Sequence, residues 1–129
     1  MPTHKKHVEY FVEGERITDT TDTVTNDGEV SYSGTIVKNT SDNQIDLAFP
    51  YLKVKSVCIY SSTAMTVETN STTTPDDTFS LAAGEQLTWT VNESATCPFT
   101  VDVTKFYASN GSANDDATLK INVLLDVTP

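Results

Sequence analysis

The chain has 129 residues, a mass of 14.1 kDa and a formal net charge of −10, a size that suits one domain able to bury about two-thirds of its extended surface. With 18 acidic and 8 basic residues, the composition argues against binding to nucleic-acid phosphates, which select for Lys and Arg. The sequence has no run of 18 apolar residues and no apolar stretch of the signal-peptide kind near its start. We therefore expect a protein that is neither exported nor inserted in a membrane.

Residues branched at Cβ are unusually abundant in the chain. Thirteen Val, five Ile and twenty-two Thr stand against seven Leu and eight Ala. Such side chains lose rotamer freedom in a helix and suit a pleated sheet. No segment shows a sustained apolar stripe at positions i, i+3, i+4 and i+7. The composition and the pattern together predict an all-β protein.

The first seven residues form a polar segment that is too short to bury an apolar surface. We predict a flexible N-terminal arm at residues 1–7, followed by a single β-sandwich domain at residues 8–129. The arm contains four side chains that carry or accept a positive charge: His4, Lys5, Lys6 and His7.

Residues 8–18 begin the predicted domain as a strand or as a hairpin around Glu13-Gly14-Glu15, because apolar and polar side chains alternate there. Residues 19–28 are predicted to be a polar loop. That loop ends in Asn26-Asp27-Gly28, whose residue types tolerate the positive φ angles of tight turns.

Further segments of alternating character follow at intervals of about ten residues. The alternation slips near Ser56, where we predict a β-bulge. The total is eight or nine strands without a crossover helix, which predicts an antiparallel two-sheet sandwich of jelly-roll or immunoglobulin-like kind. These predicted strands cover residues 30–36, 44–49, 51–62, 65–69, 78–81, 86–91, 99–109 and 117–127.

Two cysteines, Cys58 and Cys97, lie in or beside predicted strands. A disulfide between them would close a long loop and contribute about 4 kcal/mol if the geometry allowed it. Because nothing in the chain indicates an oxidising destination, we expect reduced cysteines that pack as small apolar groups. The bridged alternative stays open at this stage.

Residues suited to catalysis or metal binding are few. The two histidines, His4 and His7, sit in the predicted arm, where nothing would orient them as bases or metal ligands, and no GxSxG motif is present. The aspartates occur in small groups that lack the residue spacing of a calcium-binding loop. We therefore interpret them as turn-forming residues. We therefore predict no enzymatic activity, no metal and no cofactor. The grouped aspartates are Asp19, Asp22 and Asp27, then Asp76 and Asp77, then Asp115 and Asp116.

Four aromatic positions, Trp89, Phe99, Phe106 and Tyr107, allow two interpretations. If exposed together, they would form a platform on which sugar rings stack, as in carbohydrate-binding modules. Strand alternation instead turns Trp89 and Phe99 toward a core. We predict core packing for these two residues.

The C-terminal two-thirds of the chain, residues 52–129, resembles small, strand-rich proteins encoded in the structural gene clusters of tailed bacteriophages. Several such proteins are components of the virion. The resemblance covers architecture and contains no active site. It is carried by TVETN at 66–70, PDDTFSL at 75–81, the lone Trp89, DVTKFY at 102–107 and LLDVTP at 124–129.

This resemblance implies a capsid decoration or cement protein on the virion exterior, assembled in the host cytoplasm and bound to the major capsid protein. The alternatives are a minor tail or fibre component, a carbohydrate-binding module and a free regulatory protein directed at the host. Shell symmetry suggests a homotrimer. We expect the arm residues His4, Lys5, Lys6 and His7 to contact the shell, with no direct contact to nucleic acid or membrane.

Overall fold

Ten β-strands and one 3₁₀ turn at Tyr51–Lys53 make up the regular structure in the computed structural model, which describes residues 1–128. The predicted all-β class is confirmed. Within the described part of the chain, no helix has the length and apolar character needed to cross a membrane. The strands are β1 (Thr3–Val12), β2 (Glu15–Thr25), β3 (Gly28–Ile36), β4 (Thr40–Ile45), β5 (Val54–Ser61), β6 (Met65–Thr69), β7 (Thr78–Leu81), β8 (Gln86–Thr90), β9 (Phe106–Asn110) and β10 (Ala117–Leu125).

Eight of these strands form the predicted two-sheet sandwich, and β1 and β2 form a separate hairpin. One four-stranded sheet has the order β3-β10-β5-β8, and the other has the order β4-β9-β6-β7. Every strand pair is antiparallel. We call the first sheet the β3–β8 sheet and the second the β4–β7 sheet.

The pairing order identifies the sandwich as a jelly roll. Strand β3 pairs with β10, β4 with β9, β5 with β8, and β6 with β7. The chain is therefore a long antiparallel hairpin whose two arms are rolled together around one core, which is the jelly-roll arrangement. This order decides between the two sandwich types that the sequence left open.

Strand β10 shows how alternation builds the core. Leu119, Ile121 and Val123 have no exposed surface and face the opposite sheet, whereas Thr118 and Lys120, on the other face of the strand, are exposed. Period two along a strand places alternate side chains on opposite faces. Full burial of a Leu, Ile or Val side chain contributes about 1.5–3 kcal/mol each, so the apolar face of β10 fixes the register of the central strand.

An aromatic cluster fills the centre of the sandwich around Phe99. Its ring centroid lies 5.0 Å from that of Phe49, 5.6 Å from that of Phe79 and 6.0 Å from that of Phe106, all in edge-to-face geometry. Phe99 itself lies outside regular structure, so the prediction of one strand over residues 99–109 was too long, and β9 begins only at Phe106. Packing of the ring holds this segment in place, together with an isolated β-bridge between Phe49 and Val103 and hydrogen bonds from Thr100 to Asp77.

The bulge predicted near Ser56 is confirmed. Leu124 of β10 lies opposite Ser56, but the next residue, Leu125, lies opposite Val54, so Lys55 is an extra residue on β5. An extra residue reverses the alternation beyond it. As a result, Val54 and Val57 both point into the core although they are three residues apart, and Ser56 is buried on the other face of the sheet.

The N-terminal hairpin differs from the prediction of an arm at residues 1–7. Thr3–Val12 is one strand that pairs with Glu15–Thr25, so the predicted polar loop at 19–28 shrinks to the turn before β3. The predicted hairpin turn is confirmed: Glu13 and Gly14 have φ of 51° and 80°, the left-handed conformations of a two-residue turn. Polar strands give no apolar alternation, which explains the missed boundary.

Candidate functional site

The β1–β2 hairpin crosses the outer face of the β3–β8 sheet. One row of cross-strand neighbours runs across all four strands of this sheet: Glu29, Leu124, Ser56 and Thr90. His4 of β1 contacts Glu29 and Ser56, whereas Asp22 of β2 contacts Thr90 at the other end of the row. The hairpin therefore runs across the strands, from the β3 edge to the β8 edge. We call this contact region the junction.

His4 ties the start of the hairpin to the sheet. Its Nδ1 atom lies 2.7 Å from Oγ of Ser56, and its Nε2 atom lies 2.8 Å from Oε2 of Glu29. The His4 side chain is only 14% exposed. A neutral imidazole whose Nε2 carries the proton would donate to Glu29 and accept from the Ser56 hydroxyl, so both ring nitrogens are satisfied.

Serine, histidine and glutamate are also the residue types of hydrolytic triads, but the surroundings of Ser56 differ from such a site. Ser56 lies inside β5, whose backbone is paired on one side with β10 and on the other with β8. The backbone N–H groups of a doubly paired strand are used by the ladders and are not free to face a developing oxyanion. The cluster joins the hairpin to the sheet.

Asp22 forms the second attachment. Its carboxylate accepts hydrogen bonds from the Thr90 hydroxyl and from Nδ2 of Asn92, the latter at 2.7 Å. The Thr90 bond, then the Asn92 bond, and to a smaller extent the charge of Lys6 lower the pKa of Asp22, against the opposing effect of burial. Lys6 in turn lies 3.1 Å from the Glu93 carboxylate. Polar bonds therefore fix the hairpin at the β8 edge as well.

A small apolar layer lies beneath the hairpin at the junction. Val24, the cross-strand partner of His4, is 6% exposed, and Leu124, between Glu29 and Ser56, has no exposed surface. Neither residue belongs to the main core between the two sheets. The hairpin thus buries apolar surface of its own, which makes it part of the folded structure.

A cavity of about 690 Å³ lies beside β1 on the outer face of the sheet. Its walls include Ser56, Cys58, Thr88 and Asn122 from the sheet and Lys6 from the hairpin. Burial raises the pKa of the Cys58 thiol, which keeps the thiol protonated and weakly nucleophilic. The lining can offer hydrogen bonds to a bound molecule.

Beyond the junction the hairpin extends away from the sandwich. Every residue from 7 to 21 is exposed, and we call residues 8–20 the ribbon. The part from residue 8 to the turn is about 20 Å long at 3.3 Å per residue. Among residues 1–128, eleven large apolar side chains are exposed, and five of them belong to the ribbon, so apolar exposure is concentrated there. These five, between 40% and 63% exposed, are Val8, Tyr10, Phe11, Val12 and Ile17.

Acidic side chains surround this apolar surface. The ribbon contains four carboxylates and one basic residue, Arg16. Solvent-exposed apolar surface bordered by charge is typical of a protein-binding surface. The carboxylates are those of Glu9, Glu13, Glu15 and Asp19.

The four residues predicted to contact a partner lie on two different sides of the hairpin. His4 and Lys6 face the chain's own sheet, whereas Lys5 and His7 are exposed on the outward side of the hairpin. Alternation along β1 causes this division. The ribbon was not predicted from the sequence as an apolar surface, although Val8, Tyr10 and Val12 lie at alternate positions there.

The aromatic residues are distributed as core residues rather than as a platform. Phe99 and Phe106 are buried, and Trp89 is partly buried against the core, with Nε1 donating to the Ala95 carbonyl at 2.8 Å. Core packing of Trp89 and Phe99 is therefore confirmed. Tyr107 is partly buried on the other face of its strand.

The grouped aspartates act mainly as hydrogen-bond acceptors in loops, as the sequence predicted. Asp77 accepts from the backbone N–H and the hydroxyl of Thr100, and Asp27 accepts from the N–H of Val127. These bonds tie loops that are distant in sequence. Asp19 and Asp22 are the exceptions, because both lie in β2, Asp19 on the ribbon and Asp22 at the junction.

Cys58 and Cys97 are free thiols. Cys58 lines the cavity on the outer face of the β3–β8 sheet, whereas Cys97 packs against the core between the sheets. A sheet separates the two environments. The expectation of reduced cysteines is confirmed.

No relative of the chain was found by comparison with known proteins. No protein-family model matches the chain. No curated protein and no solved structure matches the chain.

Proposed function

We propose that this protein is a non-enzymatic structural component of a tailed-bacteriophage virion, acting as a decoration protein on the capsid exterior. The sequence resemblance over residues 52–129 supports the virion assignment. A jelly roll serves many functions, so the fold alone does not decide between them. The observation that carries the proposal is the ribbon, an apolar surface held away from the sandwich.

Exposure of the ribbon has a physical cost that an assembly would remove. A two-stranded ribbon is marginally stable in water by itself. Its large apolar side chains, among them Tyr10 at 63% and Phe11 at 53% exposure, gain about 1.5–3 kcal/mol each when fully buried. A larger partner that covers the ribbon therefore gains affinity from surface that the free subunit leaves in water.

Charge indicates the kind of surface that the ribbon fits. Four carboxylates against one basic residue make the ribbon acidic, so the complementary partner surface is an apolar depression with a rim of Lys and Arg. In this proposal the ribbon takes the place of the arm residues His4, Lys5, Lys6 and His7, which the sequence-based expectation placed against the shell. We assign this partner surface to the major capsid protein.

The sandwich contributes bulk and solubility to the proposed role. A net charge of −10 keeps free subunits apart in the host cytoplasm before assembly. On the shell, a homotrimer with three ribbons would bind neighbouring capsid subunits at once, and this multivalency would slow their separation. No catalytic step is part of the proposed role.

Binding to emptied capsids tests the proposal. We expect the double variant Tyr10→Ser/Phe11→Ser to bind about a hundredfold more weakly, because roughly 3 kcal/mol of apolar burial is lost. Leu52→Ser is the matched control, since Leu52 is 76% exposed on the body of the protein. Equal binding by the double variant and the unaltered protein would show that the ribbon does not bind the capsid.

Quantitative mass spectrometry of purified particles tests the location. Many copies per particle are expected for a decoration protein, and a few copies would indicate a tail or fibre component instead. Absence from particles would contradict the virion assignment and favour a free host-directed protein. A glycan array tests the carbohydrate-binding alternative, for which we expect no binding.

A further inference from the structure

Three potential metal ligands meet on the outward side of the hairpin. His7 and Glu9 are two residues apart on β1 and share one side, and Asp19 of β2 is the cross-strand partner of Glu9. Nε2 of His7 lies 2.7 Å from Oδ1 of Asp19 and 3.5 Å from Oε1 of Glu9. All three ligand atoms lie within 4.8 Å of one another.

We propose that His7, Glu9 and Asp19 form a binding site for a divalent transition-metal ion, with Zn²⁺ as the preferred ion. One imidazole nitrogen and two carboxylate oxygens are established zinc ligands, and water completes the coordination where the protein supplies three. The imidazole distinguishes this group from an ordinary patch of acids, because nitrogen ligands select transition metals over Ca²⁺ and Mg²⁺.

The hairpin supplies the preorganisation that such a site requires. The turn at Glu13-Gly14 and a bulge at Ile17 together set the register of β1 against β2, and in this register Glu9 lies directly opposite Asp19. Like charges directly opposite one another on a strand pair are unfavourable, and a dication between them removes this repulsion. The ion would take the place of the proton on Nε2 of His7.

Arg16 supports this arrangement from outside. Its guanidinium lies 3.3 Å from Oδ2 of Asp19, while Oδ1 of the same carboxylate points to His7. One oxygen is thus held by a positive charge and the other is directed at the site. Ligating carboxylates in metalloproteins are oriented in the same way by neighbouring hydrogen-bond donors.

The three side chains have room to close on an ion. They are 50%, 38% and 41% exposed for His7, Glu9 and Asp19, so small rotations bring the ligand atoms to the 2.0–2.2 Å typical of zinc. From the sequence, a metal at the histidines was not expected, because a flexible arm does not orient ligands. Strand pairing removes that objection for His7, whereas His4 is occupied at the junction.

Titration of the untagged, chelator-treated protein with ZnCl₂ by calorimetry tests the proposal. We expect saturable binding of one ion per chain, weakened by about tenfold or more in His7→Ala and in Asp19→Asn. Glu13→Gln is the matched control, because it removes the same charge as Glu9→Gln from the same hairpin but lies at the turn. Glu9→Gln should weaken binding and Glu13→Gln should not.

A second readout separates the site from nonspecific binding. Co²⁺ should give a visible absorption spectrum that disappears in His7→Ala, while far-UV circular dichroism of that variant stays unchanged because His7 is exposed. The proposal is overturned if the unaltered protein shows no saturable binding, or if His7→Ala binds the ion as tightly. Neither result depends on whether the protein is part of a virion.

Discussion

Nδ1 of His4 lies 2.7 Å from Oγ of Ser56, a residue 52 positions later in the chain. This bond joins the N-terminal hairpin to β5, one of the two inner strands of the β3–β8 sheet. Because Glu29 binds the other ring nitrogen, one side chain links the hairpin to two strands. The position of the ribbon therefore depends on a residue that the sequence places in a polar segment.

His4→Ala should release the hairpin from the sheet. The substitution leaves the buried Ser56 hydroxyl without its partner, which costs about 1–3 kcal/mol. We expect faster amide hydrogen exchange in β1 and β2, with the exchange of β10 unchanged, measured by mass spectrometry. Lys5→Ala is the control, since Lys5 is exposed on the outward side. Unchanged exchange in His4→Ala would show that the bond does not hold the hairpin.

Asp22 should make the stability of the junction depend on pH. Hydrogen bonds from Thr90 and Asn92 lower the pKa of Asp22 in the folded state. A carboxyl group with a lowered folded pKa stabilises the protein above its unfolded pKa of about 3.9, and this contribution is lost as the pH falls through the folded pKa. The unaltered protein should therefore exceed Asp22→Asn in stability at pH 7.

The measurement for Asp22 is urea unfolding of both proteins from pH 7 down to pH 2.5. The difference in unfolding free energy should be full at pH 7 and should shrink below about pH 4. Asp46→Asn provides a comparison at an exposed carboxyl outside the junction. A difference that stays constant with pH would contradict the role assigned to the Asp22 carboxylate.

Phe99→Ala should be the most damaging single truncation in the core. The ring is 1% exposed and contacts Phe49, Phe79 and Phe106, so its removal leaves a cavity and costs about 3–5 kcal/mol. Phe11→Ala removes the same atoms from the exposed ribbon and should change stability little. Chemical denaturation of the two variants compares them, and similar losses would argue against a central position for Phe99.

Asn110→Ala should destabilise the end of the sandwich where β3, β9 and β10 meet. The Asn110 side chain has no exposed surface; it donates to the carbonyls of Ile36 and Asp115 and accepts from the N–H of Ser112. Loss of these bonds leaves backbone groups unpaired, at about 1–3 kcal/mol for each that water does not reach. Asn114→Ala, at an exposed position, should be neutral in the same thermal unfolding experiment.

Local pattern in the sequence was sufficient for several features of the fold. The alternation of Leu119, Ile121 and Val123 predicted β10, the Glu13-Gly14 pair predicted the hairpin turn, and the slip near Ser56 predicted the bulge. Each of these depends on residues within about ten positions of one another. A strand with one buried face or a turn with positive φ is determined over that range.

Long-range contacts decided the rest. The jelly-roll order depends on which strand edges pair, and the sequence does not distinguish between edges of similar composition. Residues 3–7 belong to a strand because β2 pairs with them, although neither strand has an apolar face over that length. His4 meets Ser56 and Glu29, and His7 meets Asp19, only because pairing and packing bring separate segments together. Polar contacts of this kind leave no periodic signal, so only the tertiary structure reveals them.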